Sequence, residues 1–272
     1  MFTEVFMQRA LLAALFLAPL CALLGVFVTA RKMAFFSDTV AHAALPGIAL
    51  GFYWGFVEPT LPLIGFSLLV AMIMIWLKQN TELLTDTILA LLLSGSVAVG
   101  IIILYLQKGF RGELHGYLFG DLLAVGSRDV WLAFVLLVLG GWVVFHNLSA
   151  LALVTAQEDM AHVCGVPVRR LNYVFVVLLT LTVAVSIRLV GIILVTSLLV
   201  IPAATARNIA RNLRQQILLS VGVGLAGGLG GTMLSYRYDV PCGPAIVLVC
   251  IGLFVVSLAG TRRWRVPARL GA

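Results

Sequence analysis

The chain has 272 residues, of which 62% are apolar and only 11% charged, against roughly 45–50% and 25% in soluble domains. This excludes an ordinary soluble domain, and apolar runs of about 18 residues or more predict helices that cross a bilayer. The formal charge of +7 is read as basic loops on one side of a membrane rather than as a nucleic-acid surface, and the runs lack the alternation of a β-barrel.

Taken in chain order, nine spans are predicted, at about 10–30, 38–56, 60–77, 86–106, 129–146, 171–187, 190–206, 215–236 and 243–260. The expected fold is all-α: a polytopic membrane helical bundle of nine transmembrane helices, eight if one short segment does not cross. One transmembrane domain covers residues 1–272. The first run lacks a small-residue cleavage site and is followed by Arg31-Lys32, so it is read as a retained span rather than a signal peptide. Segment 109–128 is too polar to cross and is expected to be a loop or a re-entrant piece.

Alternation then divides the eighteen Lys and Arg residues. With the C-terminus inside, Arg31, Lys32, Lys78, Arg169, Arg170, Arg207, Arg211, Arg214, Arg262, Arg263, Arg265 and Arg269 are cytoplasmic. Arg9, Lys108, Arg111, Arg128, Arg188 and Arg237 are outside. The excess of basic residues on the inner side selects this orientation.

The second span opens with Ser37-Asp38-Thr39-Val40-Ala41-His42-Ala43-Ala44-Leu45-Pro46-Gly47. Asp38 and His42 are four residues apart, so a helix places them on one face. Pro46 has no N–H for the carbonyl of His42. A carboxylate, an imidazole and a freed carbonyl within one turn suit a borderline divalent ion such as zinc or manganese. Asp38 is the one acidic residue that falls within a span, where a central Asp costs about 2.5–3.5 kcal/mol on insertion scales. The blander reading is that Ser37 or Asp38 caps the helix start. Two side chains do not complete a metal site, so further ligands would come from another helix, water or a second copy of the chain. Gly47 and Gly51, also four apart, are read as a close-packing pair.

Between the fifth and sixth spans, Thr155 followed by Glu158 has the pattern of a capping box, and Gly165 with Pro167 is a helix stop. An isolated cytoplasmic helix of about nine residues is expected at about 156–164. Alone it would be marginal, so it lies against the bundle or against a partner. Pro202 is expected to kink or end the seventh span. In the eighth span, Gly224/Gly228 and Gly227/Gly231 predict tight packing, within one chain or between two.

Enzymatic motifs are absent from the sequence. There is no G-x-x-x-x-G-K-[ST] phosphate loop, no H-E-x-x-H and no G-x-S-x-G, so the chain does not itself hydrolyse ATP through a P-loop. Cys21, Cys164, Cys242 and Cys250 show neither paired zinc-site spacing nor a disulfide framework. No cofactor is expected, and a divalent metal is cargo. An ion-coupled secondary transporter is the alternative mechanism, although it would want more titratable groups within the spans.

The Ser37–Gly47 stretch resembles the signature of the zinc, manganese and iron permease subunits of bacterial ATP-binding-cassette (ABC) importers. Tyr117–Val125, Leu198–Arg207 and Asp239–Val247 are similar to further stretches of the same family, in the same order. The resemblance implies a type II-like importer permease in the inner membrane. It implies a second copy of the chain, a cytoplasmic ATP-binding subunit, also dimeric, and an outer metal-binding protein that delivers the ion. It makes Asp38 and His42 the metal residues, and places the ATPase contact at Glu158, Asp159, Met160 and Gly165. Tyr117–Val125 looks most like the high-affinity zinc branch, so zinc is the expected cargo, with manganese and iron(II) as alternatives. Cys242 departs from the pattern, standing where a small residue or proline is expected.

Overall fold

The structure is a computed structural model that describes residues 5–56, 58–106 and 126–262. Every described element is helical: α1 Val5–Ala30, α2 Phe36–Tyr53, α3 Thr60–Asn80, α4 Thr85–Leu106, α5 Ser127–His146, α6 Leu148–Ala156, α7 Glu158–Val163, α8 Val168–Val190, α9 Ile192–Ile209, α10 Leu213–Tyr238 and α11 Cys242–Arg262. The nine helices of 18 residues or more fall on the nine predicted spans. Seven are long and apolar enough to cross a membrane on length and composition. α2 and α9, which carry the polar residues discussed below, are not among those seven. Most of segment 109–128, including Tyr117–Val125, lies outside the described residues, as do Arg263, Arg265 and Arg269.

α1 is the axis of the bundle. Its apolar window is 72% buried, against 22% for α4 and for α5, and it packs against α5, α8, α9 and α10. A helix that is apolar all round belongs in such a position. The outer helices turn Leu91, Ile101, Trp131 and Leu139 outward, as a hydrocarbon surround permits.

Small residues set the spacing. A Cβ on Gly224 would come within 2.8 Å of Ala22 Cβ, and one on Gly231 would strike the backbone of Ile246. The two glycine pairs of α10 therefore seat α1 on one side and α11 on the other, inside a single chain. Ser220 Oγ donates to the carbonyl of Ala22 at 2.8 Å across the α1–α10 contact. Gly47 and Gly51 likewise admit α3, where a Cβ on Gly47 would come within 2.8 Å of Leu63 Cα. Gly25 faces the carbonyl of Leu199, where any Cβ would collide with backbone. Gly25→Val is expected to lower the melting temperature of the detergent-solubilised protein, since overpacking costs about 1–3 kcal/mol. An unchanged melt would show that α1 and α9 are not in backbone contact.

The prolines do not break the helices. Pro202, expected to kink or end the span, lies inside α9, which runs on to Ile209, so it does not end it. Pro46 lies inside α2, and a Cβ on Gly100 of α4 would come within 3.2 Å of its ring. The break falls instead at Gly191, φ +85°, between α8 and α9. Glycine adopts that conformation without steric cost.

Candidate metal path and partner helix

α2 leaves one stripe incompletely buried. Most of the helix is buried, but Asp38, His42 and Leu45 are half-buried. These positions follow the i, i+4, i+7 spacing of a single helix face. His42 Nδ1 lies 2.9 Å from the carbonyl oxygen of Asp38. With Nδ1–H donating there, Nε2 is the ring nitrogen left to face a metal. Asp38 Oδ1 accepts a hydrogen bond from Thr196 Oγ1 of α9 at 2.7 Å, which leaves the second carboxylate oxygen available.

The capping alternative fails on geometry. The N-cap of α2 is Phe35, with no side-chain cap bond, and Ser37 Oγ donates backward to the carbonyl of Ala34 at 3.2 Å. Asp38 stands in the first turn, where the helix dipole favours a carboxylate. Thr39 Oγ1 bonds the carbonyl of Leu89 at 3.2 Å and ties this turn to α4.

Thr196 escaped the sequence reading, which sorted only acids and histidines. The available signal was the adjacent hydroxyl pair Thr196-Ser197 within an apolar run. Thr196 is half-buried like Asp38 and His42, so the three side chains share an incompletely covered seam between α2 and α9. Among the described residues, no three His, Cys, Asp or Glu side chains come together. The four cysteines are free, and Cys21 and Cys250 are buried.

The second candidate region is corrected in detail. Thr155 belongs to α6, and its hydroxyl donates to the carbonyl of Leu151 at 2.6 Å, so it forms no capping box with Glu158. The N-cap of α7 is Gln157, without a side-chain cap bond. The expected helix at 156–164 is thus a six-residue turn, Glu158–Val163. Its predicted end holds: Gly165 adopts φ +73°, and Val166 N–H reaches back to the carbonyl of Ala161 at 3.0 Å. This is the return pattern that glycine permits after a helix.

α7 is fastened to the bundle from beneath. Ala161 is fully buried, while Met160 is 50% and Val163 83% exposed. Glu158 accepts from Asn172 Nδ2 at 3.4 Å. Asn172 Oδ1 in turn accepts from Arg31 Nη1 at 2.9 Å, and Arg31 Nε donates to Thr155 Oγ1 at 3.0 Å. Arg169 donates to Gln79 Oε1 at 2.9 Å. These bonds bring the α1–α2 turn, the end of α3, α6, α7 and the start of α8 to one end of the bundle, as alternation of the spans requires.

Comparison with known proteins covers almost all of the chain. The family model described as the ABC 3 transport family matches residues 3–261. The high-affinity zinc uptake system membrane protein ZnuB of Haemophilus influenzae is 37% identical over 250 residues, covering 92% of this chain and 95% of that protein. The manganese import system permease protein ScaB of Streptococcus gordonii is 32% identical over 252 residues, covering 93% and 90%. The solved structure of PsaBC from Streptococcus pneumoniae in complex with Fab aligns with a TM-score of 0.82 at 31% identity, over 94% of this chain and 92% of the matched one.

Proposed function

The chain belongs to the ABC 3 transport family, and from that premise we propose that it is the permease of an ATP-driven divalent-metal importer whose principal cargo is zinc. The observation that carries this reading is the half-buried stripe of Asp38 and His42, with His42 Nδ1 turned to the Asp38 carbonyl and Asp38 braced by Thr196. Nitrogen and carboxylate donors together suit zinc. A zinc-uptake relative at 37% identity supports the choice.

Each chain offers two metal-binding side chains, and a second copy facing the same seam would supply two more. Four donors satisfy the preference of zinc for tetrahedral coordination. An ion that must also leave is served by a site split between two chains, because separating them dismantles it. The basic end of the bundle faces the cytoplasm of a bacterial inner membrane, in keeping with the excess of Arg and Lys there. A separate ATPase dimer binds at that end through Glu158, Asp159, Met160 and Gly165, and an outer metal-binding protein delivers the ion to the opposite end. ATP-driven closure of the ATPase moves α7. The displacement passes through Asn172 and Arg31 to the turn that begins α2, which carries the ligand stripe.

Manganese is the second reading, favoured by the 32% identity to a manganese permease and by the affinity of that ion for oxygen donors. Growth of a deletion strain in metal-depleted medium separates the two. Expression of this chain with its partner subunits is expected to restore growth at a lower concentration of zinc than of manganese. The reverse order would assign the importer to manganese.

A further inference from the structure

The basic end of the bundle carries a half-open cavity of about 510 Å³ whose lining includes none of Asp38, His42 and Thr196. It is walled by the α1–α2 turn, the end of α3, α7 and the start of α8. Arg31, Lys78 and Arg169 line it against a single carboxylate, Glu158. Met33, Met74, Ile75 and Val176 supply a buried apolar lining.

Arg31 is held in place with one arm idle. Its Nε and Nη1 are taken by Thr155 and Asn172, and its guanidinium lies 4.6 Å over the ring of Phe175. Nη2 is buried and has no hydrogen-bond partner. Leaving such a donor unpaired is costly. Burial pushes the Arg31 guanidinium down to about 10, with Glu158 opposing the shift. The group stays charged at neutral pH in surroundings that lack enough negative charge to balance it. Arg169 is anchored as well, through two bonds to Gln79.

A water in the cavity would balance no charge, and one water's share of liquid volume is only about 30 Å³. A fixed guanidinium with two further cations beside it attracts a phosphate anion. The apolar part of the lining adds room for an attached chain, and basic pockets between helix ends at a cytoplasmic face suit anionic headgroups.

We propose that this cavity binds a phosphate-bearing anion, whose charge Arg31, Lys78 and Arg169 on its wall neutralise. The same chemistry is offered by a phospholipid headgroup and by free inorganic phosphate. The bound anion ties α7 to the α1–α2 turn, α3 and α8. The proposal goes beyond the metal reading and does not depend on it, because the test measures binding and not uptake.

The full chain is purified in detergent and delipidated. Its melting temperature is followed during titration with short-chain phosphatidylglycerol, with phosphatidylcholine of the same chain length, and with inorganic phosphate. Phosphatidylglycerol or phosphate is expected to raise the melting temperature in a saturable way. The exposed double substitution Lys78→Gln/Arg169→Gln is expected to weaken that binding at least tenfold without lowering the melting temperature of the unliganded protein. Arg31→Gln should weaken it further. A response to phosphatidylglycerol but not to phosphate identifies a lipid site, and the converse identifies a soluble anion. No response to either, an equal response to phosphatidylcholine, or a response unchanged by the double substitution would overturn the proposal.

Discussion

Asp38→Ala and His42→Ala are each expected to reduce metal uptake by about 100-fold or more while leaving the chain folded and in the membrane. Mutation of the partners that orient a metal ligand typically costs about 10–100-fold in affinity or activity, and loss of the ligand itself should exceed that. Thr196→Val tests the ordering directly. It removes the hydroxyl that holds Asp38 Oδ1 at 2.7 Å without touching either of the side chains proposed to bind metal, and should fall between wild type and the two alanine variants, about tenfold down. Structural damage is expected to be small, because Asp38 and His42 are only half-buried. Asp38→Ala forfeits a favourable charge in the first turn, about 0.3–1 kcal/mol. Uptake of radiolabelled zinc, normalised to the amount of protein in the membrane, provides the measurement. Wild-type uptake in both alanine variants would remove these residues from the path. Equal, complete loss in all three variants, accompanied by loss of protein, would mean that they hold the fold instead.

The fold was legible because span length and apolar composition are properties of single segments. The nine long helices sit on the nine predicted runs, and of the basic residues that alternation assigned to one side, Arg31, Lys78 and Arg169 line one cavity. The resemblance of four stretches to metal-importer permeases agrees with the family match over residues 3–261. What failed to show depended on contacts between segments. Thr155 and Glu158 have capping-box spacing, yet α6 continues through Thr155 and uses its hydroxyl on Leu151. Tertiary packing thus displaced a local signal that was sound by itself. The glycines of α10 announced tight packing without naming the partner, because spacing identifies a face and not what lies against it. Thr196 is one hydroxyl in an apolar run, and only the approach of α9 to Asp38 gives it a role.

Met160→Asp is expected to weaken binding of the ATPase subunit by about 30-fold, the loss of roughly 2 kcal/mol that marks an interface hot spot. Six residues are too few to hold a helix in water unaided, so α7 needs its anchors. On its inner side it has them, in buried Ala161 and in the chain from Glu158 through Asn172 to Arg31. On its outer side Met160 and Val163, three residues apart, are 50% and 83% exposed. Residues at that spacing are neighbours on one helix face, and two apolar side chains left in water at the polar end of a membrane protein suit a partner with an apolar recess. Val163→Asp should therefore behave like Met160→Asp. Glu158→Lys should act on both counts, because its carboxylate, proposed as part of the ATPase contact, also accepts from Asn172 and holds the seat of α7. The outer substitutions should lower affinity for the ATPase while leaving the melting temperature of the isolated permease unchanged. Glu158→Lys should lower both. Co-purification with the ATPase and thermal melts of the permease alone give the two readings. Unaltered co-purification for both Met160→Asp and Val163→Asp would place the ATPase contact elsewhere on the basic end of the bundle.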